Sequence, residues 1–176
     1  MNLNFNFKGI TKTDIKVKDT TELKQLVNNL IQQYGNQVDL NNIDVSDIVY
    51  FNSIFIYKNY FEGDVSEWDV SSGNTFENMF FDCNKFNGDI SEWNVSNGKF
   101  FSWMFTHCKS FNSNLSKWDV SNGEYFHAMF YGCESFNADL SKWNVSNAKN
   151  WDNFASFSLL EKYPNRIPEK FRGDYL

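Results

Sequence analysis

Two histidines (His107 and His127), three cysteines (Cys83, Cys108 and Cys133) and a set of recurring carboxylates are the residues of this 176-residue chain that could do chemistry. His107 stands next to Cys108, and an imidazole beside a thiol is the pair a cysteine nucleophile needs. Adjacent residues on a helix point about 100° apart, so the adjacency does not make a nucleophile and its base. The cysteines fall at equal intervals, one per unit, without the close C-x-x-C pairing of zinc ligands. Copies ~5 Å apart would lie within disulfide reach, but three is an odd number, and an apolar face suits reduced, buried thiols. Asp64, Asp89 and Asp139 recur with the same interval, and Asn114 takes the place once. A position that accepts Asp or Asn suits a turn, where the side chain bonds its own backbone, better than proton transfer. No glycine loop suited to a phosphate is present. The residues therefore predict no catalytic group, no metal site and no cofactor.

The interval is the stronger signal. Trp68, Trp93, Trp118 and Trp143 are 25 residues apart, as are Phe61, Phe86, Phe111 and Phe136, and Met79, Met104 and Met129. Val45, Val70, Val95, Val120 and Val145 keep the same register, each followed by Ser. A fixed period of this length is the signature of stacked units, none of which buries its own apolar face alone. Within a unit, Ile90, Trp93 and Val95 fit a short strand, and Phe101, Met104, Phe105 and Cys108 stand at i, i+3, i+4 and i+7, the apolar face of a two-turn helix. The fold expected is an α/β, right-handed, leucine-rich-repeat-like solenoid of about four to five strand–helix coils over residues 39–158.

Caps are expected at both ends. Residues 1–38 carry an alternating stretch at 3–8, a segment at 14–18 that pairs with it, and an amphipathic helix with apolar Leu23, Leu26, Val27, Leu30, Ile31 and Tyr34. Asp19 with Glu22 forms a capping-box signature and Gly35 is the stop. Residues 159–176 form the C-terminal cap and tail.

The run FNGDISEWNVS followed by MF and C resembles the BspA-like bacterial leucine-rich repeat, whose 25-residue consensus has the same W-x-V-S and M-F core. That resemblance implies a binding scaffold used in adhesion and protein binding, not an activity.

Composition bounds the partner. A formal charge of −6, with 19% aromatic residues, argues against nucleic acid, which needs clustered Lys and Arg. No apolar run approaches the ~20 residues of a membrane span. The N-terminus lacks a basic start followed by an apolar stretch, which predicts a soluble protein of the bacterial or phage-infected cytoplasm.

Positions that vary between units are the candidate binding residues. Phe100, Trp103 and His107 lie on a helical face apart from the core, where the preceding unit has Thr75, Asn78 and Asp82. Tyr125 follows Phe100 in register, Phe81 and Tyr131 flank Thr106 in one column, and His127 is nearby. These rings form either an interface hot spot, which favours Trp and Tyr, or packing beneath a neighbouring helix. A second candidate row is Glu67, Glu92, Lys117 and Lys142, one position read either as a charge-reading surface or as a solvated face. The expected function is a non-catalytic protein-binding module, an intracellular inhibitor or adaptor of mobile-element type. The alternative is a surface adhesin with a glycan partner.

Overall fold

The computed structural model describes residues 15–176; the alternating stretch at 3–8 lies outside them. Strand β1, Ile15–Lys16, pairs in parallel with β2, Ile43–Asp44, in the first repeat. Helix α1, Thr20–Tyr34, forms as its spacing predicts. The Asp19 carboxylate accepts from the Glu22 N–H at 2.9 Å, and the Glu22 side chain accepts from the Lys18 N–H at 2.8 Å. Gly35 closes the helix with φ 90° and an N–H donated to Ile31, a backbone conformation that costs glycine little. Leu23, Leu26, Val27 and Leu30 are buried, whereas Tyr34 is exposed.

Beyond β2 the repeats are neither strand nor helix. Between residues 45 and 159 no regular element forms; the backbone is a succession of tight turns. In the third unit the N–H groups of Trp93, Gly98, Met104, Cys108 and Phe111 each donate to the carbonyl three residues back. The expected helix is replaced by two consecutive four-residue turns, 101–104 and 105–108. The third residue of each, Trp103 at φ 57° and His107 at φ 60°, is left-handed, as a type II turn requires. The intervening N–H groups point sideways: those of Phe101, Trp103, Phe105 and His107 donate to Tyr125, His127, Met129 and Tyr131 at 2.8–3.0 Å. A helix would have used the Phe105 and His107 donors internally. Two four-residue turns place their first and last residues at i, i+3, i+4 and i+7, so the apolar spacing is the same in both structures. The expected strand at 90–95 is likewise two turns; parallel bridges between units join Tyr50, Thr75, Phe100, Tyr125 and Asn150 in one column, and Asp39 with Asp64.

The inward corners build a long buried aromatic ladder. Phe51, Phe76, Phe101 and Phe126 stack with centroids 5.4–5.5 Å apart. Phe55, Phe80, Phe105 and Phe130 stack at 5.0–5.6 Å, and Phe61, Phe86, Phe111 and Phe136 at 5.6–5.9 Å. Offset stacking of this kind adds about 0.5–1.5 kcal/mol per pair beyond the area buried. The polar atoms of the core are satisfied between units. Trp93 Nε1 donates to the Val65 carbonyl at 3.0 Å and Cys108 Sγ to Phe80 at 3.0 Å. The other three core tryptophans and the other two cysteines each reach a carbonyl 28 residues back in the same way. At the C-terminal end Phe154 meets Phe130 edge-on, Phe171 tilts against Phe126, and Trp151 stacks on Phe171. The domain is thus compact and repetitive, with α1 at one end and three short 3₁₀ turns at the other.

Candidate functional site

Five times the paired turns recur, at 51–58, 76–83, 101–108, 126–133 and 151–158, each presenting two left-handed corners outward. The first corner is Ser53, Asn78, Trp103, Ala128 and Asn153 in successive units; the second is Tyr57, Asp82, His107, Gly132 and Phe157. Asn, Asp and Gly tolerate this conformation. His enters it more readily than most side chains; Trp, Tyr and Phe do not, and each of these costs about 1–3 kcal/mol. The bulky residues stand where the turn itself has no use for them.

The rings at the second corner meet those of the preceding column. Tyr57, Phe81, His107, Tyr131 and Phe157 form a zigzag of mostly edge-to-face contacts at 5.1–6.0 Å, crossing all five units on the exterior. Its ends are the most open, Tyr57 at 63% and Phe157 at 70% exposure. The imidazole of His107 is oriented by Asp82, with Nδ1 3.0 Å from Oδ1. It also lies over Gly132, where an added Cβ would come within 2.6 Å of the ring. A glycine there gives the ring its space as well as serving the turn.

Beside the ladder, Trp103 packs edge-to-face on His127 at 4.9 Å, and a cleft opens on either side of the pair. The first, about 220 Å³, is lined by Phe81, Trp103, His107, His127 and Tyr131, with Thr106, Ala128 and Asn153. The second, about 330 Å³, is lined by Glu77, Ser102, Trp103, Tyr125, His127, Asn150 and Asp152. Burial pushes the Glu77 carboxyl above the usual carboxylate range. The Nδ1 of His127 is buried with no hydrogen-bond partner among the described residues.

Six of the predicted aromatic and histidine residues therefore come together in the two clefts. Phe100 stacks on Tyr125 at 5.2 Å just outside the lining. The geometry that unites them is the pair of turns, not a helical face. Glu67, Glu92, Lys117 and Lys142 line neither cleft; Lys117 donates to Glu92 at 3.4 Å on an open surface. Tyr57, Phe157, Glu77 and Asp152 escaped the sequence reading. The in-register columns 57–82–107–132–157 and 52–77–102–127–152 carry the signal that finds them.

The cysteines are buried and the recurring carboxylates are hydrogen-bonded in turns. All three cysteines are free and buried; desolvation pushes the Cys83 thiol up to about 12 and raises Cys108 and Cys133 as well. The recurring carboxylates serve turns: Asp64, Asp89 and Asp139 accept from the N–H of Ser66, Ser91 and Ser141, as Asn114 does from Ser116. No group of His, Cys, Asp and Glu among the described residues could hold a metal ion. No described helix is long and apolar enough to cross a membrane.

Fold and surface together define a repeat protein with a stacked aromatic core and a second, external row of rings. The chain belongs to the family described as "Mycoplasma protein of unknown function, DUF285", whose pattern matches residues 1–99, 21–124 and 74–165. The matches overlap, so the family pattern repeats along the chain. No curated protein and no solved structure matches it.

Proposed function

We propose that this chain is a non-catalytic binding module that docks a protein partner on its external aromatic face. In this reading the repeats form a right-handed solenoid related to the BspA-like leucine-rich repeats, with each turn pair standing where those repeats place a helix. One observation carries the functional part. Trp103, His107, Tyr57 and Phe157 occupy left-handed corners where neighbouring units have Asn78, Asp82, Gly132 and Asn153. Bulky rings held in an unfavourable conformation at the surface, in contact with one another, are what a binding site retains and a scaffold does not. Thiols held protonated by burial support a non-catalytic role, and the charge of −6 supports a basic partner and its electrostatic steering.

The test is photocrosslinking in the native host, with a benzophenone amino acid placed at position 81 on the ladder or at position 92 on the charged row. The proposal predicts capture of one protein species from position 81 and none from position 92. Capture from 92 alone would move the site to the charged row. Silence at both, with glycan-array binding lost in a Trp103→Asn variant, would replace the protein partner by a glycan.

A further inference from the structure

The second cleft combines rings and carboxylates in an order that points to a particular ligand chemistry. Glu77, Ser102, His127 and Asp152 occupy one repeat position in four successive units. The two carboxylates therefore stand at opposite ends of the cleft, with Trp103 and Tyr125 between them. Three steps at the ~4.8 Å spacing of hydrogen-bonded neighbouring backbones separate them by roughly 14 Å. Neither carboxylate is ion-paired or side-chain hydrogen-bonded among the described residues, whereas the nearby Glu124 is taken by Lys149 at 2.5 Å. Glu77 is half-buried, so its charge is only partly hydrated and gains from an incoming cation. Trp103 is 37% exposed and lines the cleft, and the unpartnered Nδ1 of His127 lies in the same wall.

Resting on the binding reading above, we infer that this cleft takes an extended basic segment of the partner carrying two arginines four residues apart. One guanidinium lies over the Trp103 ring and donates to the Glu77 carboxylate; the other reaches Asp152. In an extended chain residues i and i+4 share a face and lie roughly 13 Å apart, which matches the span. Arginine fits better than lysine because its planar group stacks on an indole while its N–H fork pairs with a carboxylate. Cations already lie over rings elsewhere in the chain: Arg166 is 4.9 Å from the Tyr163 centroid, Lys170 5.1 Å from that of Trp151 and Lys149 6.0 Å from that of Tyr125.

The experiment titrates the intact, nitrogen-15-labelled protein with the peptide Gly-Ser-Arg-Ser-Gly-Ser-Arg-Ser-Gly, observing the Trp103 indole N–H by NMR. The same peptide with citrulline, with lysine, and with its two arginines adjacent serves as comparison. The expected result is a shift of the Trp103 signal and binding about tenfold weaker for the citrulline peptide. Lysine and adjacent-arginine peptides are expected to be intermediate. Glu77→Gln should weaken the arginine peptide severalfold without moving the signals of the core tryptophans, which report an intact fold. Equal binding of arginine and citrulline peptides, or no effect of Glu77→Gln, would overturn the inference. If the crosslinker at position 81 still captures a protein in that case, the binding reading stands and only the arginine chemistry falls.

Discussion

At the scale of single residues, the repeats divide side chains into those the backbone needs and those it merely carries. The core tryptophans are needed twice over, as stacked rings and as indole donors to a carbonyl of the preceding repeat. Replacing Trp93 by Phe keeps a ring but removes one of the two hydrogen bonds at the Val65 carbonyl, which retains the Trp68 N–H, a loss of about 0.5–1.5 kcal/mol. The cysteines are needed as small, donor-bearing core residues. Cys83, Cys108 and Cys133 should therefore be inert to a thiol reagent at pH 8 in the native protein and all react on unfolding. Rapid native-state labelling of any one would contradict their burial. Trp103 and His107 are of the other kind. The positive φ of Trp103 costs the fold, and the rings of both make their contacts with neighbouring rings on the surface.

At the scale of elements, the repeat is a chain of turns, and the turn residues carry its pH dependence. Hydrogen bonds from Ser91, Ser121 and Ser141 hold the Asp89, Asp119 and Asp139 carboxyls below the usual carboxylate range. A depressed folded pKa contributes stability above the unfolded value near 3.9, and that stability is lost as pH falls through the folded value. The melting temperature should thus drop steeply below about pH 4. Asp89→Asn/Asp139→Asn should flatten that drop, because Asn accepts the same bond, as Asn114 does, and does not titrate. An unchanged acid limb in the variant would show that other carboxylates set it. The sequence made α1 legible to its caps, because Asp19, Glu22 and Gly35 act locally. It could not separate turn from helix at 101–108, because both put Phe101, Met104, Phe105 and Cys108 on one side. What decides between them is where alternate N–H groups go, and that depends on the neighbouring repeat.

At the scale of the whole molecule, the 25-residue register was readable because stacking demands identity at each core position. The same demand made the exceptions readable: Phe100, Trp103 and His107 stood out against Thr75, Asn78 and Asp82, and the stacked units bring Trp103 and His107 to the clefts. The ends of the ring row were missed because the register weakens at Tyr57 and Phe157. End caps close the ladder by changing ring geometry, from stacked within it to edge-on at Phe154. Phe171 is fully buried against Trp151, Phe126 and Phe154. Phe171→Ala should cost about 3 kcal/mol in denaturant unfolding, with the loss appearing across the cooperative unit. A change under 1 kcal/mol would mean that the cap is dispensable and the ladder ends at Phe126.

The central claim is that the external rings are held against the preference of the backbone because they bind. It is tested most directly by the unfolding free energy of Trp103→Asn, which restores to the corner the residue type that Asn78 and Asn153 supply in other units. Relief of strain should outweigh the lost surface contacts, and the variant should be more stable than the parent by about 1 kcal/mol or more. A variant less stable by that amount would contradict the account, because the rings would then be part of the packing that holds the repeats together.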